Sequence, residues 1–216
     1  MNVIELFSSI DGEGKRQGFL TTFLRLHDCN IRCSYCDTLY SYGPESTFES
    51  MSVQAVADVI EQLENHRITI TGGEPLLQEP AIIELIDELT RRNARYDFNI
   101  ETNGTIIPSF HRDNVWFTYD YKTPSSLAED AMNLDIFKVA TPADIIKFVV
   151  GSMQDLDRMG EILKTYPTDA QIFVSPVWGN IEGATIIEYM KAHNWQNVRF
   201  QLQIHKFIWD PDAKGV

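Results

Sequence analysis

With 216 residues and 44% apolar side chains, the chain can bury one large core, and no Pro/Gly/Ser linker, repeat or low-complexity run divides it. A net charge of −13 excludes a basic nucleic-acid surface, and no apolar stretch approaches the ~20 residues of a membrane span. Anionic ligands must therefore be held by a few specific groups and not by a general field.

In chain order, Val3–Phe7 alternates and predicts a strand, and Leu20–Leu26 predicts a second. Val56, Val59, Ile60 and Leu63 recur at helical spacing after Ser52, a natural N-cap. Arg67–Thr71 predicts a strand ending at Gly72-Gly73, and a helix begins around Pro80 with Ile82, Ile83, Leu85, Ile86 and Leu89. Strands follow at Phe98–Glu101, Val115–Tyr121, Ile145–Val150, Gln171–Ser175 and Val198–Leu202, with helices at Gln154–Thr165 and Ile181–His193. Such alternation predicts an α/β fold, residues 1–216 as one domain, with a parallel sheet either doubly wound or closed towards a barrel. Cys29–Cys36, Gly72–Glu74, Glu101–Gly104, Asp120–Lys122 and Ser175-Pro176 all fall at C-terminal strand ends, the rim on which α/β barrels assemble sites.

The only cysteines are Cys29, Cys33 and Cys36, spaced C-x3-C-x2-C. Three thiolates are one short of a closed zinc site or a closed cubane, so a [4Fe–4S] cluster held here keeps one iron open to a small molecule. A Cys3His zinc site using His27 or a distant His is the rival reading. A disulfide is disfavoured by the odd count, and the absence of a signal-like leader predicts a reducing cytoplasm. Thr71-Gly72-Gly73-Glu74-Pro75 reads either as a tight strand-to-helix turn or as a place where backbone approaches a ligand and a carboxylate accepts from its amine.

The cysteine spacing with Tyr35 before the last thiol, together with Gly72-Gly73-Glu74-Pro75, resembles the radical S-adenosylmethionine superfamily. Ile10-Asp11-Gly12-Glu13-Gly14, Phe23-Leu24-Arg25-Leu26, Cys36-Asp37-Thr38, Glu101-Thr102-Asn103-Gly104-Thr105 and His205-Lys206 are similar, in order, to the 7-carboxy-7-deazaguanine synthases. The resemblance implies a modified, partial (β/α)6 barrel, usually a homodimer. It implies radical ring contraction of 6-carboxy-5,6,7,8-tetrahydropterin with loss of ammonia, with an electron donor such as flavodoxin and neither nucleic acid nor membrane as partner. Cys29, Cys33 and Cys36 would hold the cluster, and Thr38 would bind Mg2+, a hard cation that takes few protein oxygens. Tyr35, Asp37, Gly73, Glu74, Asp120, Tyr121, Lys122, Ser175, Pro176, Val177 and Trp178 would contact S-adenosylmethionine. Ile10, Asp11, Gly12, Glu13, Arg25, Thr71, His205 and Val216 would contact the pterin, Arg25 forking its carboxylate and Glu13 taking an N–H edge.

Two positions depart from the family pattern: Asp11 stands where Gln is usual, and Asp120-Tyr121-Lys122 where many members carry Ser-Pro-Lys. Arg25 lies in an apolar strand and requires an anionic partner, from the protein or the substrate. Thr38 read alone could simply cap a turn. Glu101 and Asn103 could shape a strand end or meet sugar hydroxyls. Two rival functions share the cysteine pattern, a glycyl-radical enzyme activase and a metal-binding module without catalysis.

Overall fold

The computed structural model describes residues 1–216 and holds nine strands in one mixed sheet. They are β1 (Asn2–Ile10), β2 (Leu20–Leu26), β3 (Glu49–Ser50), β4 (Arg67–Gly72), β5 (Asp97–Thr102), β6 (Val115–Tyr121), β7 (Ile145–Val150), β8 (Gln171–Pro176) and β9 (Val198–Phe200). The helices are α1 (Val53–Gln62), α2 (Glu79–Arg92), α3 (Ile136–Val139), α4 (Met153–Thr165), α5 (Gly183–Ala192) and α6 (His205–Ile208). Ser52 caps α1, its hydroxyl accepting from the Ala55 N–H at 3.1 Å. No helix is long and apolar enough to cross a membrane.

The strand order is β3-β1-β2-β4-β5-β6-β7-β8-β9. β1 runs antiparallel to both its neighbours, and every pairing from β2 to β9 is parallel. Edge strands β3 and β9 do not pair, so the sheet is an open, partial barrel. Two of the β/α units lack a full helix, as the sequence pattern also has it: no helix joins β5 to β6, and α3 between β6 and β7 is a single turn. β9 also stops at Phe200, short of the expected Leu202. The Gln201 side chain there turns to the β1–β2 loop, accepting from the Gly14 N–H at 2.7 Å and donating to its carbonyl at 2.8 Å.

That loop spans the open side. Gln17 donates to Leu202 O, and Ile204 N–H donates to Gly12 O, so residues following β9 are tied to the far end of the sheet. Arg16 plugs the barrel floor, pairing with Asp11 at 3.0 Å and donating to Ile68 O and Thr69 Oγ1. Its guanidinium also lies over the Trp116 ring. Side-chain alternation then sorts the strands into two faces. Leu24, Ile68, Ile70, Phe98, Ile100, Ile146, Phe148 and Val174 are fully buried towards the helices. Each such side chain contributes about 1.5–3 kcal/mol by leaving water.

Candidate active site

The alternate residues face inward and line a cavity of about 260 Å³ at the C-terminal ends of the parallel strands. The loop after β2 brings Cys29, Cys33 and Cys36 to its rim, all as partly exposed free thiols. Ser34 fastens this loop to the turn after β6, its hydroxyl donating to Ser125 O and its N–H to Ser126 O. Burial pushes the Cys33 thiol up to about 11, partly offset by the Lys122 ammonium beside it.

The end of β4 presses against the same loop. A Cβ on Gly73 would overlap the Asp28 carbonyl and lie 2.8 Å from Cys29 Cβ, so only glycine permits this approach. Gly73 lines the cavity, but Glu74 does not. The Glu74 carboxylate is fully buried and accepts from the N–H groups of Leu76 and Asn103 and from the Thr102 hydroxyl. Its role as an open acceptor for a ligand amine is therefore not what the geometry gives. It braces the strand end, and Asn103 continues the brace to Cys29 Sγ at 3.7 Å.

A charged layer crosses the cavity below the cysteines. The Lys147 ammonium on β7 lies 3.1 Å from Glu13 and 3.6 Å from Asp120, and Asp120 pairs with Lys122 at 3.1 Å. Glu13 also accepts from Gln203 at 3.2 Å and from the Ser175 hydroxyl at 3.4 Å. Burial opposes the charge on Lys147, yet Glu13, Asp120 and Glu101 together hold it firmly protonated. Glu101 faces this group, and burial pushes its carboxyl up to about 7 despite Lys147.

Lys147 escaped the sequence reading. The signal was a lone cation in Ile145-Ile146-Lys147-Phe148-Val149-Val150, six residues that are all buried. A charge at that depth needs a partner, and the partners arrive from strands and loops far away in sequence.

Arg25 lines the opposite wall, its Nε donating to Glu5 Oε1 at 2.6 Å. Nearby, Thr38 Oγ1 lies 3.6 Å from Cys36 Sγ and makes no capping bond to the turn it precedes. Asp37 pairs with Lys206 at 3.1 Å, which joins α6 to the cysteine loop. His205 packs where a Cβ on Gly12 would sit, and burial lowers its imidazole pKa. Tyr35, Ile10, Thr71, Val177, Trp178 and Val216 complete the expected residues on the wall.

Four expected contacts lie off this wall. Besides Glu74, Tyr121 points to the opposite face of β6, against Phe137 and Phe148, and its hydroxyl donates to Glu129 at 2.8 Å. Strand alternation separates it from its neighbours Asp120 and Lys122. Ser175 and Pro176 sit at the end of β8, where Ser175 supports Glu13 from behind. Asp11 has its backbone at the cavity, while its carboxylate is committed to Arg16, Thr21 and Thr69. Its replacement of Gln is thus part of the floor.

The donor set fits an iron–sulfur cluster better than zinc. His27, the nearest imidazole, is packed on the Phe48 ring at 4.3 Å and so is engaged away from the thiols. Three thiols without a fourth side chain suit a cubane that keeps one iron open.

The profile of the Radical SAM superfamily matches residues 25–164. A 7-carboxy-7-deazaguanine synthase of Clostridium acetobutylicum is 37% identical, over 99% of this chain and 98% of its own length. One from Leptospira interrogans is 36% identical over 100% of this chain and 98% of its own. The crystal structure of QueE from Escherichia coli superposes with a TM-score of 0.69 at 25% identity, covering 93% of this chain and 92% of that one.

Proposed function

The chain belongs to the radical SAM superfamily and, within it, to the 7-carboxy-7-deazaguanine synthases, and on that premise we propose its chemistry in detail. The substrate is 6-carboxy-5,6,7,8-tetrahydropterin, and the reaction is a carbon–nitrogen lyase step that contracts the ring and releases ammonia. Cys29, Cys33 and Cys36 would hold a [4Fe–4S] cluster, which together with S-adenosylmethionine would supply the radical chemistry of the reaction. The protein's own share is binding, orientation and exclusion of water.

Arg25 lines the cavity with both terminal nitrogens free of bonds within the protein, a fork suited to the pterin carboxylate. Glu13, fixed by Lys147, Gln203 and Ser175, presents a carboxylate held in one orientation to the N–H edge of the ring. Glu101, near neutrality in this setting, can hold or release a proton at its carboxylate oxygen. Thr38 is the Mg2+ ligand in this reading, because its hydroxyl is not spent on its own turn. A homodimer, a flavodoxin-type electron donor and a reducing cytoplasm complete the proposal, the last in keeping with three free thiols.

One observation carries the reading: three cysteines without a fourth protein ligand stand on the rim of a cavity that also holds Arg25 and Glu13. The test is anaerobic reconstitution with iron and sulfide, then incubation with the carboxypterin, S-adenosylmethionine and dithionite, with and without Mg2+. The expected result is 7-carboxy-7-deazaguanine by mass spectrometry, formed faster with Mg2+. Iron-loaded protein that consumes no pterin, or zinc in place of iron, overturns it.

A further inference from the structure

We propose that Glu5 and Tyr40 are positioning residues that aim Arg25 at the substrate carboxylate, an inference that rests on the reading of Arg25 given above. Glu5 stands directly across the β1–β2 ladder from Arg25, just past an irregularity in the pairing between Val3 and Glu5. Bulges of this kind re-aim a side chain beside a site. Here the result is a 2.6 Å ion pair between Arg25 Nε and Glu5 Oε1, with both side chains largely shielded from water.

The same oxygen accepts from the Tyr40 hydroxyl at 2.8 Å, so Glu5 is itself fixed. Tyr40 is covered in turn by the Lys214 ammonium, 4.3 Å from its ring centroid. Glu5 engages only Nε of the planar guanidinium and thereby sets its plane. Both terminal nitrogens then have no hydrogen-bond partner within the protein, and Arg25 lines the cavity. The one carboxylate that could compete from the cysteine loop is Asp37, and Lys206 already neutralises it. A pre-aimed fork of this kind loses little freedom when a carboxylate arrives, which is how rigid placement raises affinity. The pair therefore selects for a substrate that carries a carboxylate at this position.

The experiment is steady-state kinetics on the reconstituted enzyme at saturating S-adenosylmethionine, with inhibition by a tetrahydropterin lacking the carboxylate as second readout. Glu5→Ala is expected to raise KM for the carboxypterin about 10-fold, keeping kcat and the inhibitor Ki within about twofold. Glu5→Gln, whose amide oxygen still accepts from Nε, and Tyr40→Phe are expected to raise KM only about two- to threefold. Arg25→Ala separates the two layers of the reading. An unchanged KM in Arg25→Ala overturns the carboxylate contact and this inference with it. A raised KM there beside a wild-type KM in Glu5→Ala overturns the positioning role alone, as does a Ki that rises in step with KM. If Glu5→Ala loses iron or fails to fold, Glu5→Gln and Tyr40→Phe decide, and wild-type KM in both overturns it.

Discussion

The concave and convex faces of this sheet are drawn from alternate residues of the same strands, yet one carries charge and the other hydrocarbon. Along β6, Asp120 and Lys122 face the cavity while Tyr121 packs on Phe148; along β7, Lys147 faces in between the outward Ile146 and Phe148. The convex face supplies burial energy. The concave face consumes some of it, because charges there are withdrawn from water. Stability and function are thus separable by the parity of a residue number, and substitutions on the two faces should have different signatures.

The largest expected effect lies on the convex face. Phe148→Ala removes a fully buried ring from the contact with Tyr121 and should lower unfolding free energy by about 3–5 kcal/mol in denaturant titration. Molecules that remain folded should keep the wild-type KM for the pterin. A raised KM at full iron content would show that the faces are coupled.

Lys147→Met tests the opposite face. It leaves Glu13 and Asp120 without their shared cation, and kcat/KM should fall about 100-fold while iron content stays unchanged. Adding Glu13→Gln removes one of the exposed charges and should restore stability without restoring turnover. Recovery of activity in the double variant would mean that Lys147 serves only to neutralise Glu13.

A pH titration gives a smaller effect on the same face. The Glu101 carboxyl is raised from 4.5 to about 7, chiefly by burial. Its contribution to stability is complete below the unfolded value and is lost as pH rises through about 7. Glu101 is only partly buried where it borders the cavity, so the loss, discounted for solvent screening, should be about 2 kcal/mol by thermal or denaturant unfolding. Glu101→Gln, a mimic of the protonated form, should flatten that slope. An unchanged slope would assign it to another group.

What could be read from the sequence depended on how far apart the cooperating residues lie. The three cysteines fall within eight positions, so their chemistry was visible as a string, and strand and helix periods placed the rim correctly. Lys147 meets Glu13 across 134 positions, and no local pattern names that partner. Glu74 looked like an open acceptor because its three donors, two of them on the far side of the β4–β5 connection, cannot be read from the Gly-Gly-Glu-Pro string. Arg25 announced a need for an anion, and the cross-strand register supplies one from the protein: Nε goes to Glu5, while the terminal nitrogens make no bond within the chain.

Tyr121 gives the smallest effect and the sharpest test of parity. A three-residue match assigned Asp120, Tyr121 and Lys122 together, although a strand can show only alternate residues to one side. Tyr121→Phe removes the hydroxyl bond to Glu129 and nothing on the cavity wall. Glu129 keeps the Arg158 Nε at 2.6 Å, so no buried acceptor is stranded, and the loss should be about 1 kcal/mol or less. S-adenosylmethionine KM and pterin KM should both stay at wild type, whereas Asp120→Ala should alter at least one of them. A Tyr121→Phe enzyme with weakened S-adenosylmethionine binding would place its ring or backbone at the cofactor and break the separation of the two faces.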